Sequence, residues 1–292
     1  MLPVVNRQKP LNITLLGVRG IPANYGGFET FAEELSVRLV RRNHRVTVYG
    51  RSHFVDARLR SYKGVDIRVL PAIQMKYLET VSHTMLSVLA SLIHPSDVVL
   101  ICNAANAFVC WIPKLVGQKV VLNVDGLERL RKKWNRFGKA YYRFSEFLAT
   151  LLPDEVVTDA HSIQQYYLEE YGFRSQFISY GASTHPVKSQ TTLDQLQLEP
   201  GKYLLYVSRL EPENNAHLVI KAYERSGVTV PLVIVGDAPY SRRYIQELHH
   251  LAEGKRILLP GAIYGRGYDE LLSHSLCYVH ATEVGGSHPA PH

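Results

Sequence analysis

The chain has 292 residues, 46% of them apolar, which suffices for two ordinary cores, and a formal charge of +7. That charge favours anionic partners such as nucleotide sugars, acidic lipids or nucleic acid, or it serves solubility alone. The N-terminal MLPVVNRQKP lacks the apolar run of a secretory signal, and the most apolar helical segment, Val81 to Ile93, is too short to span a bilayer. Cys102, Cys110 and Cys277 have no CxxC spacing and read as buried, reduced thiols, so a cytoplasmic protein is expected.

In chain order the apolar pattern predicts strands at Ile13–Gly17, Val46–Tyr49, Asp66–Leu70, Val98–Cys102, Val120–Val124, Glu155–Thr158 and Gln176–Ser179. Helices are predicted between them at Thr30–Arg42, Tyr77–His94, Ala107–Leu115, Lys139–Leu151 and Ser162–Tyr171. Short, continuously apolar strands alternating with helices specify parallel sheets covered on both faces. Gly181 to Gly201, rich in Gly, Pro, Ser and Thr, reads as an interdomain linker. A second alternation follows, with strands at Tyr203–Val207, Leu232–Val235, Ile257–Leu259 and Leu276–His280. Its helices are predicted at Asn215–Arg225, Arg242–Ala252 and Tyr268–Ser273. The expected organisation is an α/β chain of two Rossmann-like domains, residues 1–182 and 183–292, facing across a cleft with ligands at the carboxyl ends of the strands.

Five stretches at those strand ends carry chemistry. The first is GVRGIPANYGGFETF, residues 17–31, where Gly26 and Gly27 precede a helix. Backbone N–H groups at a helix start attract phosphate, and glycine lets it approach, although the spacing is neither G-x-G-x-x-G nor a P-loop. The second is NVDGLE, residues 123–128, where Asp125 and Glu128 are placed to act as a base or to orient a hydroxyl. Asp125 equally suits a turn before Gly126. It runs into Arg129–Arg143, seven Lys/Arg interleaved with Trp134, Phe137, Tyr141 and Tyr142. That composition suits a membrane surface, a lipid phosphate, nucleic acid or a solvated helix face. The third is YVSRLEPENN, residues 206–215, in which Arg209 can clamp a diphosphate or form a surface ion pair. The fourth is LVIVGDAPY, residues 232–240, ending a strand at Gly236 and Asp237; Asp237 equally suits a helix cap. The last is ATEVGGSHP, residues 281–289, where Gly285, Gly286 and Ser287 offer N–H groups to an anion and Glu283 accepts from sugar hydroxyls. The histidines show no metal-ligand spacing, no cofactor is expected, and no nucleic-acid module is recognisable, so nucleic acid is not an expected partner.

Together these strings resemble the family-4 retaining glycosyltransferases of GT-B fold, in particular a bacterial rhamnosyltransferase-like subgroup. The resemblance runs from about Leu11 to the end of the sequence. It implies that Gly26 and Gly27 approach a donor diphosphate, that Arg209 holds it, and that Asp125 lies near the reacting sugar. It places Gly236, Asp237, Glu283, Gly285, Gly286 and Ser287 at the donor, with Asp125, Arg209 and Glu283 as the catalytic set. It further implies a nucleotide-sugar donor, often dTDP-rhamnose, and a polyprenyl-diphosphate-linked saccharide acceptor in cell-surface polysaccharide synthesis. Arg131, Lys132, Lys133, Trp134 and Arg136 then face the acceptor or the inner membrane surface, making the protein peripheral. Two departures stand out. The lysine that many members carry five residues after the arginine is Asn214 here, and the sequence ends in PAPH where members continue into further helices. On the resemblance the chain is C-terminally truncated, and the alternative function is an inactive nucleotide-sugar-binding remnant.

Overall fold

The computed structural model describes residues 9–23, 27–75, 78–130, 134–181, 186–238 and 241–282. The chain divides into two compact units, one formed mainly by residues up to Tyr180 and one mainly by Gly181–Gly285.

The first unit follows the expected alternation. Its elements are β1 (Asn12–Leu16), α1 (Gly27–Arg41), β2 (Arg45–Arg51), β3 (Ser61–Tyr62), β4 (Val65–Leu70), α2 (Glu79–Ser91) and β5 (Val98–Cys102). After these come α3 (Trp111–Lys114), β6 (Lys119–Val124), α4 (Arg136–Ala149), β7 (Glu155–Thr158), α5 (His161–Tyr171) and β8 (Gln176–Phe177). Among the described residues the strands form one sheet in the order β3-β4-β2-β1-β5-β6-β7-β8, parallel except for the β3–β4 pair. Successive strand side chains point to opposite faces, so adjacent apolar residues serve two cores. Leu16 lies in a core with Val88 of α2, Ile112 of α3, Ala149 of α4 and Tyr167 of α5, whereas Leu15 lies in another with Ala32 and Val37 of α1. The helix predicted over Ala107–Leu115 is instead a 3-10 turn, Ala104–Val109, followed by the short α3. The Asn103 side chain caps that turn by accepting from the Ala105 N–H, which starts it earlier than the apolar pattern suggests.

The second unit contains α6 (Thr191–Gln195), β9 (Leu204–Val207), α7 (Ala216–Ser226), β10 (Leu232–Val235), α8 (Arg242–Ala252), β11 (Ile257–Gly261), α9 (Arg266–His274) and β12 (Cys277–Val279). Its described strands form a parallel sheet in the order β11-β10-β9-β12. Ile220 of α7 and Leu248 of α8 pack on one face with Tyr206 and Ile234, and Leu193 of α6 and Leu271 of α9 pack on the other with Leu205 and Val233.

Two sequence expectations are corrected. The stretch read as a linker, Gly181 to Gly201, contains α6, whose Leu193 is fully buried. Burying one leucine contributes about 2 kcal/mol, and the carboxylate of Glu270, itself buried, accepts from the Thr192 N–H at 2.7 Å and from the Ser189 hydroxyl. Polar composition hid a helix that docks by one apolar residue. Cys102 and Cys110 are buried, but Cys277 is exposed, because β12 stands at the sheet edge.

Candidate functional site

In the first unit β1 lies between β2 and β5, and the chain moves to opposite sides of β1 before and after α2. Ligands of open parallel sheets bind at such a reversal, at the carboxyl ends of the strands. The loop leaving β1 packs tightly there. Gly17 has φ +86°, and a Cβ on it would stand 2.4 Å from the Cys102 carbonyl oxygen at the end of β5. Gly20 has φ +124°, and a Cβ there would stand 2.8 Å from the Gly50 Cα in β2. These two glycines are therefore required by contact between backbones. The acidic start of α1 braces the same loop: Arg19 N–H donates to Glu29 at 3.0 Å and Ala23 N–H to Glu33 at 2.9 Å. Burial pushes the Glu33 carboxyl up, but the hydrogen bonds from Ala23, Lys63 and Tyr62 outweigh it and hold it below its usual range. Gly27 opens α1, and Gly26 lies outside the described residues.

Asp125 follows β6 and is half-buried. Burial first, and then the Asp125 carboxylate, raise the Tyr180 hydroxyl and the Cys102 thiol above their ordinary values, which puts the three groups in one neighbourhood. The Asn123 amide donates to Tyr180 Oη at 2.7 Å, and the Tyr180 ring lies 4.7 Å from that of Phe31 on α1. Across the sheet reversal, the buried Asn106 donates to the Cys102 carbonyl at 2.7 Å. Asn103, Asn106 and Tyr180 were missed in the sequence. The signal for the first two is the NAAN run directly after a buried strand; nothing local marks Tyr180, which arrives from the far end of the unit.

The basic run begins inside the protein. Arg129 lies 3.4 Å from the carboxylate of Glu146, which is 2% exposed, and that oxygen also accepts from Tyr166 and Tyr171, each at 2.9 Å. The Trp134 indole donates to Glu128 at 3.2 Å and packs against Tyr142, so Glu128 is engaged with the run rather than projecting alone. Arg136 is exposed, and Arg131, Lys132 and Lys133 lie outside the described residues.

In the second unit the order reverses between β9 and β12. Arg209 stands two residues beyond β9, half-buried, and its guanidinium has no hydrogen-bond or ion-pair partner among the described residues. Its backbone is held: the Asn214 amide donates to the Arg209 carbonyl at 2.6 Å, and Tyr206 Oη donates to the Asn214 carbonyl. Asn215, at φ +61°, donates to the Ala281 carbonyl beyond β12 at 2.9 Å, tying both sides of the reversal together. Gly236 has φ +152°, and its N–H donates to the Gly261 carbonyl at 2.9 Å. Asp237 is exposed and accepts from the Ala238 N–H at 2.7 Å, so it shapes a turn, while Ser241 precedes α8 as its cap residue. Glu283, Gly285, Gly286 and Ser287 lie outside the described residues. Among the described residues no group of His, Cys, Asp or Glu is arranged to hold a metal ion, and no helix is long and apolar enough to cross a membrane.

Solved structures of low sequence identity share this fold. Anabaena Alr3699/HepE in complex with UDP-glucose matches with a TM-score of 0.68 at 17% identity, over 92% of this chain and 73% of that one. Sucrose-phosphate synthase from Thermosynechococcus elongatus matches with a TM-score of 0.70 at 18% identity, over 91% and 74%. UDP-N-acetylglucosamine 2-epimerase from Rickettsia bellii matches with a TM-score of 0.60 at 15% identity, over 91% and 72%. No curated protein sequence matches significantly. Residues 189–289 match the family model for glycosyl transferases group 1. Fold and domain define the class: a GT-B-type α/β protein with a glycosyl transferases group 1 domain. Within that class the first unit is the distinguishing part. Residues 11–183 match the family described as domain of unknown function (DUF1972), and the chain belongs to that family.

Proposed function

We propose that the protein is a glycosyltransferase that moves a hexose, rhamnose or a close relative, from a nucleoside diphosphate to a polyprenyl-diphosphate-linked saccharide with retention of configuration. Arg209 carries the reading. It stands at the strand reversal of a domain that matches glycosyl transferases group 1, on a braced backbone, with no partner for its guanidinium among the described residues. An arginine so placed can grip a diphosphate bidentately and stabilise its charge as the sugar departs. The UDP-glucose bound by Alr3699/HepE supports a nucleotide-sugar donor.

In this reading the amides of Gly285, Gly286 and Ser287 share the diphosphate with Arg209, and Glu283 accepts from the sugar hydroxyls. Gly236 and Asp237 shape the donor side. Gly26 and Gly27 offer N–H groups at the start of α1, and Asp125 orients a hydroxyl. The sugar passes through an oxocarbenium-like state, and the departing phosphate oxygen takes the acceptor proton. A lipid-linked acceptor makes the protein peripheral at the cytoplasmic face of the membrane, where Arg131, Lys132, Lys133 and Arg136 meet lipid phosphate, with Trp134 supporting them.

The test is a panel of UDP-, dTDP- and GDP-sugars with polyprenyl-diphosphate-linked acceptors, read as nucleoside diphosphate released and product formed. Turnover is expected with one donor, and Arg209→Ala should lower kcat on the order of 100-fold. Donor binding without turnover would reduce the protein to a nucleotide-sugar binder. Epimerisation of UDP-N-acetylglucosamine without acceptor would assign the chemistry of the other class that shares this fold.

A further inference from the structure

We infer that the outer faces of α2, α3 and α4 form one surface on which the first unit rests against an anionic lipid bilayer. The three helices cover the same face of the sheet, since Val88, Ile112 and Ala149 enter one core. They are neighbours: α2 packs against α3, and both α2 and α4 pack against the 104–109 turn. Single exposed apolar residues are ordinary on a protein surface. Here each helix exposes a set at helical spacing. On α4, Phe137 is 85% exposed, and Phe144 follows seven residues on with Phe147 beside it. On α2, Leu86 and Leu89 are exposed, and Ile93 just past the helix is 74% exposed. Beside them Trp111 on α3 is half-exposed and Leu115 is 71% exposed. Exposed apolar side chains repeated on three neighbouring helices are what an interaction site requires.

Charge selects the occupant. Residues 98–153 contain nine Lys/Arg and three Asp/Glu. Those three acids are withdrawn from the surface: Asp125 and Glu128 are half-buried in the loop after β6, and Glu146 is buried among Arg129, Tyr166 and Tyr171. The α4 cations Arg136, Lys139 and Arg143 are exposed beside the aromatic row, while Lys114 and Lys119 lie 3.6 and 3.5 Å from Asp154. An apolar face flanked by the α4 cations Arg136, Lys139 and Arg143, unneutralised among the described residues, with Asp154 and Glu155 as exposed carboxylates only at the Lys114 edge, matches anionic headgroups over acyl chains. A second copy seated two-fold on this face would bring a second set of Arg136, Lys139 and Arg143 to the same contact, which disfavours it against an anionic surface. The choice of a membrane rests on the proposed lipid-linked acceptor, but the docking itself needs neither donor nor acceptor, so the two ideas fail separately.

The experiment is co-sedimentation of the protein with vesicles of phosphatidylglycerol and phosphatidylcholine at equal weight, and with phosphatidylcholine alone. The expected result is binding to the mixed vesicles, weakened about tenfold or more without phosphatidylglycerol or at about 1 M salt. The double variant Phe137→Glu, Phe144→Glu should lose binding to a similar extent with an unchanged circular-dichroism spectrum. Lys139→Gln with Arg143→Gln, both fully on the surface, repeats the test should the first variant fold poorly. Binding equal to the parent in either folded variant, no binding to any vesicle, or a dimer by light scattering that Phe144→Glu dissolves would each overturn the inference.

Discussion

The Ser208 carbonyl oxygen occupies the space where a side chain on Gly236 would begin: a Cβ there would stand 1.8 Å from it. The ends of β9 and β10 thus touch through backbone alone, one residue before Arg209. Gly236→Ala requires both a displaced strand end and an unfavourable φ, so it should destabilise the second unit by about 3 kcal/mol or more. Thermal unfolding followed by circular dichroism is the measurement, and a second-unit transition within a degree of the parent's would refute the requirement.

Asn214 should affect donor binding without contacting the donor. Its amide holds the Arg209 carbonyl at 2.6 Å. Asn214→Ala removes one hydrogen bond, typically worth about 1 kcal/mol, so it should lower the melting temperature by a few degrees and, through the loosened Arg209 backbone, weaken nucleotide-sugar affinity about fivefold. Calorimetric titration of the preferred donor reads this, and unchanged affinity would separate Arg209 from its brace.

Arg129 is predicted to be a stability residue. Removing it leaves the buried Glu146 with two tyrosine donors and no cation. Arg129→Met should cost about 2 kcal/mol. Arg129→Lys should restore little, because an ammonium cannot reproduce the contact of one guanidinium with both Glu146 and Tyr166. Denaturant titration of both variants against the parent decides it.

His83 makes the first unit sensitive to acid. It is fully buried on α2, with Nε2 3.1 Å from the Gly50 carbonyl. Burial first, then the neighbouring Arg51 charge, lower it from 6.5 to about 4, with His53 adding to the shift and Glu79 and the Gly50 carbonyl opposing it. The unfolded chain therefore binds this proton first. Stability contributed by neutral His83 is complete above about pH 6.5 and is lost as the pH falls through about 4, on the order of 3 kcal/mol in all. His83→Gln should flatten that part of the stability–pH curve; an unchanged slope between pH 6.5 and 4 would show that His83 is not its source.

Much of the architecture was legible because burial on both sides of a parallel strand demands uninterrupted apolar runs such as Val98–Cys102, found with those bounds. Elements held by few apolar residues escaped: α6 docks through Leu193 inside a polar stretch, and β3 is two residues long. The loop at residues 17–31 was legible as special but not in its reason. Only Gly26 and Gly27 were singled out there, whereas Gly17 and Gly20 answer to Cys102 and Gly50, which are 85 and 30 residues away in the chain.

The long buried strands, most of the helices between them and the candidate residues at strand ends follow from the sequence alone, because local periodicity and terminal Gly, Asp and Arg report the covering of each strand and where it stops. Tertiary structure alone decided which of those residues are engaged by the protein itself. Glu29 and Glu33 are taken by loop amides, Glu128 by Trp134, Arg129 by Glu146, and Gly236 by the Ser208 carbonyl, while the Arg209 guanidinium has no partner among the described residues. Those partners lie up to 28 residues away, on other elements or across turns, and a hydrogen bond or a close backbone approach depends on distance in space, which composition and spacing do not encode.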